Sequence, residues 1–462
     1  MEGESRRWIG IRHRRKKTTK GEERPTQIAI LEGEKTKTYN LKTETDELDF
    51  VRGRFPVKFR PATEKDDLSQ FLPHHIVWRR LKRNENPEDF PPNLTRQIST
   101  RIWEVAIRVP VGFDGLKQGD TVGMILGGSG DRLAFALSRQ GELIGAKVLR
   151  IPGFILKEQR SRMGRKTEKD AITLAELVRS KPELFYFLGA RGRSLILIKE
   201  LWKARTEAMK ARIACGQRLL QRMIGEIFCA SDGLYPEGVI EGIFKERKAN
   251  DAIFQALFAE EEERKKELLR ALKGLDVYQR IFEPIEGCGV LISARLIVAI
   301  QDIKRFDVDR ESLRQELEEK GFSGGELERR LKRLIRERRA SKLKAFCGVH
   351  VLAGGKYGDM PEDKQFPRRR RGLVSNWHPD ARQALFLIAE QFNRRPDSPW
   401  GRRLLQIKAR LREKHPEAIE VNGKKKFTDG HIHKMALWRA ATKFVEWLSD
   451  AWWALEEEQI NH

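Results

Sequence analysis

The segment IEGCGVLISARLIVAI, residues 285–300, places two glycines at the start of an apolar helix. Gly287 and Gly289 flank Cys288, and glycine permits a tight turn because it has no Cβ atom. The free N–H groups at the beginning of a helix, together with the helix dipole, form an anion site. The pattern predicts a helix-hairpin-helix loop that binds nucleic-acid phosphate, with Arg295 as a further contact. A tight turn between two core helices is the structural alternative.

Arginines and aromatic residues alternate in QFPRRRRGLVSNW, residues 365–377. Consecutive arginines repel one another unless an anion lies between them. Unstacked RNA bases can stack on aromatic rings and on guanidinium planes. The segment therefore predicts an RNA contact, with a solvated loop as the alternative. The residues that we expect to bind nucleic acid here are Arg368, Arg369, Arg370, Arg371, Asn376, Trp377 and Arg382.

Two further segments are rich in Lys and Arg. The segment KEQRSRMGRK, residues 157–166, predicts a second basic patch. In ERRLKRLIRERRASKLK, residues 328–344, a helix would carry cations on nearly every side, which is more than solubility requires. A solvated face and a phosphate contact are both consistent with this run. The candidate residues of the two segments are Arg160, Arg162, Arg165, Lys166, Lys342 and Lys344.

The composition of the whole chain indicates a polyanionic partner. The 462 residues include 91 Lys and Arg against 67 Asp and Glu, which gives a formal net charge of +24 and a pI of about 9.9. Such a charge bears on partners rather than on fold, and nucleic acid is the commonest partner because binding releases counterions. An anionic membrane is the rival, but no apolar run of about 18 residues and no lipidation motif is present. We expect no membrane partner and a cytoplasmic, nucleoid-associated location.

Cysteine and histidine spacing gives no indication of a metal site. The four cysteines are scattered and none forms a CxxC pair, so reduced thiols in the cytosol are expected. His431 and His433 form an HxH near the C-terminus, without an obvious Cys or carboxylate partner. The prediction is therefore no metal and no cofactor.

The periodicity of apolar residues divides the chain into an α/β part and a helical part. Residues 1–45 alternate like a β-hairpin, and residues 101–151 show a β-α-β rhythm. Residues 46–98 are polar and rich in proline, which predicts an insertion with little regular structure. From about residue 170 the period changes to 3.6, with long stretches typical of antiparallel helices. The charged stretch 308–342 also predicts a helix.

Several motifs in order resemble one family of mobile-element proteins. The segment of residues 285–306 followed by KLKAFCGV, residues 342–349, is similar to the C-terminal domain of the DEDD (RuvC-like) insertion-sequence transposases, which are related to the Piv-type DNA invertase. Residues 370–390 resemble the arginine-rich element of that family, and residues 429–453 resemble its terminal helix. The glycine-hairpin domain also resembles the Nop domain of box C/D RNA-protein complexes and of the Tas proteins of tandem-interspaced-guide-RNA systems.

The resemblance implies a three-part organisation. It implies an α/β RuvC-like (RNase H-like) N-terminal head at residues 1–178, with the insertion near 46–98. A long helical coiled-coil arm would follow at residues 179–280, and an all-α Nop-like C-terminal domain at residues 281–462. The partners implied are a structured guide RNA and a target DNA, and we expect a homodimer through the arm or the C-terminal domain.

The sequence departs from the family at the residues that would hold magnesium. The transposases need four acids for two Mg²⁺ ions, since Mg²⁺ requires oxygen ligands. Arg12 and Gly127 occupy the places of the first two acids, and Glu168 is out of step with the third. Asp170 fits the fourth and would be a lone catalytic remnant. The run VLAGGK, residues 351–356, also lacks the family's nucleophilic serine.

Three functions remain open at this stage. The first is an RNA-binding, RNA-guided DNA-binding protein whose nuclease head is degenerate. The second is an active RNA-guided transposase or DNA nuclease that uses Mg²⁺. The third is a Nop-like scaffold of a small RNA-protein complex that never contacts DNA.

Overall fold

The computed structural model of the chain describes residues 6–13, 25–233, 235–351, 366–367, 372, 375–421 and 424–460. The chain divides into two units, Met1–Leu188 and Gly189–His462. The first is a mixed α/β unit and the second is largely helical, as the periodicity predicts. Among the described helices, none combines the length and the hydropathy that a bilayer span needs.

The N-terminal unit is built around a six-stranded mixed sheet. In chain order its elements are β1 (Arg7–Arg12), β2 (Thr26–Glu32), β3 (Lys35–Leu41), α1 (Glu44–Val51), β4 (Phe55–Pro61), β5 (Val77–Arg80), β6 (Thr95–Ser99), β7 (Ile102–Asp114), β8 (Thr121–Leu126), α2 (Asp131–Ile144), β9 (Lys147–Pro152), α3 (Gly153–Arg162), α4 (Asp170–Ser180) and β10 (Tyr186–Phe187). The order in the sheet is β10-β9-β8-β1-β2-β3. The predicted N-terminal hairpin is confirmed, because β1 pairs antiparallel with β2, while β1 and β8 run parallel.

Helix α4 packs directly on this sheet through a glycine. A Cβ atom at Gly10 in β1 would lie 1.9 Å from the carbonyl oxygen of Ala171. The absence of a side chain at Gly10 therefore sets how closely the first turn of α4 approaches the end of β1. Leu174 and Leu177 on the same helix are fully buried and join the core above the sheet.

A second sheet occupies the region that the sequence predicts to be irregular. Strands β4, β5 and β6 all pair antiparallel with the 13-residue β7. Ile76, Leu94, Val105 and Ala106 form its small core. The expectation that residues 46–98 have little regular structure is therefore wrong. The long strand β7 supplies the pairing partner that makes short, polar strands stable.

The C-terminal unit contains nine described helices and a short hairpin. They are α5 (Ala190–Phe228), α6 (Ile240–Asn250), α7 (Ala252–Lys273), α8 (Val290–Ile300), α9 (Arg310–Glu319), α10 (Gly324–Cys347), α11 (Pro379–Asn393), α12 (Pro399–Lys414), β11 (Ile419–Val421), β12 (Lys424–Lys426) and α13 (Asp429–Ile460). The stretch 308–342 is interrupted rather than one helix, because Gly321 adopts a φ of 86° between α9 and α10.

The long helices α5 and α7 pack side by side and run antiparallel. Arg205 and Arg212 on α5 both bind Glu261 on α7, at 2.8 and 2.6 Å, and Gly216 lies against Phe254. The predicted pair of long antiparallel helices is thus present. The base of the pair shares its core with the remaining helices, where Phe282, Phe306, Phe392, Phe444 and Trp452 are fully buried.

Candidate nucleic-acid interface

A groove of about 1370 Å³ lies in the C-terminal unit between α10, α12 and α13. Among the described residues, its lining contains seven cationic side chains and a single carboxylate, that of Glu446. We call this surface the basic groove. The cations are Lys344, Arg402, Arg403, Arg410, Lys414, Arg439 and Lys443.

Helix α12 supplies most of these cations because its two faces differ. Leu404 and Leu411 are buried, whereas Arg402, Arg403 and Arg410 are exposed, and the spacing of seven and eight residues from Arg403 and Arg402 to Arg410 places the arginines on one side of the helix. The helix begins with a capped turn, since the Ser398 hydroxyl accepts a hydrogen bond from the Gly401 N–H at 3.0 Å. The groove face is therefore a solvent-facing stripe on a helix that the core holds in place.

The positive charge of the basic groove is only partly neutralised from within. Lys344 and Lys443 bind Glu446 at 2.9 and 2.8 Å. Burial alone would raise the pKa of Glu446, but the hydrogen bonds from Lys443 and Lys344 lower it below its ordinary value. Arg410 and Arg439 make no ion pair or hydrogen bond with any residue that the structure describes. These two guanidinium groups are thus available to an external anion.

Aromatic side chains border the cations. Phe366 lines the groove and lies 6.2 Å from the ring of Trp438 on α13. The guanidinium of Arg382 stacks between Trp438 and Trp377, at 4.7 and 4.5 Å from the ring centroids. Rings beside cations are the combination that single-stranded nucleic acid uses.

The residues predicted from the arginine run and the basic helix are only partly brought together. Lys344 lies in the groove, while Lys342 donates to the carbonyl of Asp307 at 2.7 Å. Trp377 covers Gly348, and Asn376 is exposed. Arg368, Arg369, Arg370 and Arg371 lie outside the described residues, starting two positions after Phe366.

The glycine hairpin forms the predicted turn, but the fold requires glycine at only one of its two glycine positions. Gly287 has a φ of 96°, and a Cβ there would lie 2.9 Å from the Cβ of Gln391, so the fold itself requires glycine. Gly289 has an ordinary φ of −59° and open space around it. The thiol of Cys288 is buried, and this burial raises its pKa to about 12. Arg295 is engaged with Asp380 at 2.7 Å.

The second predicted patch is largely neutralised by its own unit. Arg160 binds Asp170 at 3.0 Å, Arg162 binds Glu158 at 3.0 Å, and Arg165 binds Glu176. Lys166 is exposed, and it makes no contact of this kind with a described residue. This segment therefore offers less free charge than its sequence indicates.

The positions compared with the family's metal ligands meet at one edge of the large sheet. Arg12 ends β1, Gly127 follows the parallel neighbour β8, and Asp170 begins α4, whose first turn contacts Gly10. Asp170 is buried, and its carboxylate accepts both hydrogen bonds from Arg160, at 3.0 and 3.1 Å. Among the described residues, no three potential ligands converge at this edge. The arrangement lacks the cluster of carboxylates that two magnesium ions need.

Sequence reasoning missed two features. The arginines of α12 were not predicted, although their helical spacing on one face is a readable signal. Asp49, His74 and His75 also come together, with ligand atoms within 4.8 Å of one another. Asp49 lies 25 positions before the histidine pair, so spacing alone does not reveal the cluster.

Comparison with known proteins adds no assignment, since no family model and no curated protein matches the sequence.

Proposed function

We propose that this chain is an RNA-binding protein, and more specifically an RNA-guided DNA-binding protein related to transposases, whose RuvC-like head is degenerate. The observation that carries the proposal is the basic groove, where the lining residues that the structure describes include seven cations and one carboxylate on a concave surface. A groove lined by one sign of charge concentrates the field and attracts a polyanion. Phosphates that enter it would release counterions, which supplies sequence-independent affinity.

RNA is favoured over duplex DNA as the occupant of the groove by the neighbouring aromatic rings. Phe366 lines the groove and lies beside Trp438, and the guanidinium of Arg382 lies over the rings of Trp438 and Trp377. Unpaired bases can stack on such rings, whereas the bases of a duplex are already stacked on each other. A folded guide RNA with exposed loops is the partner that this combination suits, and the target DNA would be read by pairing with that RNA.

The degenerate head is supported by the chemistry at the sheet edge. Arg12 stands where an acid would be needed, and a fixed cation repels Mg²⁺. Asp170 is the one family-like acid present, and Arg160 already neutralises it. The mixed α/β unit and the helical unit are consistent with a RuvC-like head and a Nop-like C-terminal domain, which remain part of this proposal. A homodimer through the arm or the C-terminal domain belongs to the same proposal.

The test compares two sets of three substitutions that remove equal charge from the same unit. Arg403→Gln, Arg410→Gln and Arg439→Gln empty the groove of three cations. Lys210→Gln, Lys245→Gln and Lys273→Gln remove three exposed cations from α5, α6 and α7. The readouts are the RNA that copurifies with each protein and its dissociation constant from anisotropy over a range of salt.

The expected result is a loss of about a hundred-fold in RNA affinity for the groove variant at ~0.15 M salt, with the slope of log affinity against log salt reduced by about 2. The arm variant should keep wild-type affinity within a few-fold. Equal losses in both variants would mean that the chain binds RNA through overall charge and not through the groove. Wild-type protein that carries no RNA and binds none would overturn the proposal itself.

A further inference from the structure

Three side chains of the N-terminal unit that are not among the residues described at the edge of the large sheet converge on one point. Asp49 lies on α1, and His74 and His75 lie in the turn that leads into β5. The Nε2 atoms of His74 and His75 lie 2.8 and 2.7 Å from the same carboxylate oxygen, Oδ2 of Asp49. Within the described residues, this is the one group of three potential ligands whose atoms all lie within 4.8 Å.

The cluster combines a buried interior with one accessible side. The side chains of Asp49 and His75 are 2% and 3% exposed, while that of His74 is 42% exposed. The second oxygen of Asp49, Oδ1, is buried and makes no hydrogen bond to any described residue. A buried carboxylate oxygen without a partner is costly, because it has lost its hydration and gained nothing in return. The site therefore lacks a positive partner at Oδ1.

We infer that Asp49, His74 and His75 bind one divalent transition-metal ion, with Zn²⁺ as the natural occupant. Imidazole nitrogen and carboxylate oxygen are the ligands that zinc takes, and two imidazoles disfavour Mg²⁺ and Ca²⁺, which select oxygen. An ion at this point would bring positive charge to the carboxylate of Asp49, including its unpartnered oxygen. Solvent on the His74 side would complete the coordination with water.

The present spacing requires a small expansion to accept the ion. Ligand atoms around a tetrahedral zinc with bonds of 2.0–2.2 Å lie about 3.3 Å apart. The two Nε2 to Oδ2 distances of 2.8 and 2.7 Å would therefore lengthen by about half an ångström, as the two hydrogen bonds are exchanged for two metal bonds. The turn before β5 carries both histidines, so one small displacement of that turn achieves this.

The ion would act as a clamp between two parts of the N-terminal unit. Asp49 belongs to α1, which follows β3 of the large sheet, whereas His74 and His75 precede β5 of the four-stranded sheet. The ring of His75 also contacts Phe113 on β7, with ring centroids 5.7 Å apart. A metal bond across this point would fix the second sheet to α1. The site shares no residue with the Arg12 and Asp170 edge, and metal binding there does not depend on nuclease activity.

The experiment uses the full chain after removal of bound metal with a chelator and dialysis. Co²⁺ is titrated in, and ligand-field absorption in the visible range is recorded, followed by competition with Zn²⁺ and by metal analysis of the dialysed protein. Asp49→Asn and His75→Gln are compared with the control His431→Gln/His433→Gln, which removes the HxH of the C-terminal unit.

The expected result is one Co²⁺ per chain with the intense absorption of a four- or five-coordinate site, displaced by one equivalent of Zn²⁺ and not by Mg²⁺. Binding should weaken at least a hundred-fold in Asp49→Asn and in His75→Gln and stay unchanged in the control. Wild-type protein that binds no Co²⁺ or Zn²⁺ would overturn the inference regardless of whether the variants fold. Binding that survives in both cluster variants and disappears in the control would place the ion at the HxH instead and would also overturn it.

Discussion

The N-terminal unit and the basic groove of the C-terminal unit differ in how their positive charges are paired. In the N-terminal unit, arginines with little solvent exposure are paired with carboxylates, as in Arg150 with Asp131 and Arg160 with Asp170. In the basic groove, Glu446 is the one carboxylate among the described lining residues and pairs with Lys344 and Lys443, while Arg410 and Arg439 have no carboxylate partner in the described part of the chain.

The difference shows how one basic chain can contain both a stable core and a binding surface. A buried arginine needs its carboxylate, since an unpaired buried charge is strongly destabilising. A groove arginine remains hydrated and needs no partner for stability, so selection for binding can leave it unpaired. At the sheet edge, Asp170 serves Arg160 in this way and is not available to hold a metal ion.

The largest effect is expected where a buried pair is broken. Asp131→Ala would leave Arg150 buried and uncompensated, because the two side chains are only 3% and 4% exposed. The free energy of unfolding of the N-terminal unit should fall by about 3–5 kcal/mol. Hydrogen exchange of the β8 and β9 amides measures this locally. Glu158→Ala, which breaks the exposed pair with Arg162, should cost less than about 1 kcal/mol and serves as the control.

A smaller effect is expected at the arginine run of residues 368–371. Replacing all four arginines with Ala should weaken RNA binding about ten-fold without unfolding the protein, since a run of four arginines is expected from its sequence to be solvated, and surface substitutions usually change stability by less than about 0.5 kcal/mol. Anisotropy and a melting curve of the same sample measure both. Unchanged affinity together with a broadened melting transition would assign the run a structural role.

The stability of the helical C-terminal unit should fall on acidification because of His378. His378 caps α11, where its Nδ1 accepts a hydrogen bond from the Ala381 N–H at 3.4 Å. Burial, aided by nearby Arg305, lowers the pKa of His378 below its ordinary 6.5, although Asp380 opposes this. As the pH falls through 6.5, the unfolded chain takes up a proton that the folded chain does not, so stability falls.

His378→Asn keeps an acceptor at the cap and removes the titrating group. Urea unfolding at pH 7 and pH 5, followed in the C-terminal unit, should show a smaller loss of stability on acidification in this variant than in the wild type. An equal loss in the two proteins would mean that His378 does not carry the effect.

The last substitution, at Asp170, is expected to cause no change in DNA cleavage. Asp170→Ala should leave cleavage of a supercoiled plasmid as it is in the wild type, with copurified RNA and Mg²⁺ or Mn²⁺ present, because a degenerate head has no activity to lose. An active two-metal site would lose orders of magnitude on removal of one ligand. Nicking by the wild type that disappears in this variant would establish an active nuclease and reverse the comparison between the units.

The periodic parts of the fold could be predicted from the sequence. The β1-β2 hairpin and helices α4, α5 and α7 follow from alternating or 3.6-residue apolar patterns, because each buries one continuous face. The four-stranded sheet could not be predicted in this way. Strand β4 contains Pro56 and Pro61, and β5 is only four residues long, so their pairing depends on β7, which lies far along the chain.

The candidate sites show the same limit. Lys344 could be predicted as a nucleic-acid contact because it lies in a dense basic run. The groove that it lines could not be predicted, because it is formed by three helices that are distant in sequence. Conversely, Arg160 and Arg165 belong to an equally basic run, and the fold pairs both with acids. Charge density is visible in a sequence, whereas the partner of each charge is set by tertiary contacts.

The 39 residues of α5 make it a helix about 58 Å long, at 1.5 Å per residue. In a helix of that length, a tilt of only 5° at the end that is packed in the core would move the other end by about 5 Å. The ion pairs of Arg205 and Arg212 with Glu261 lie partway along α5, where they resist separation of α5 from α7. Replacing Glu261 would remove the carboxylate that holds Arg205 and Arg212, and these two arginines would then repel each other along one face of α5, so the pair of helices would bend more easily.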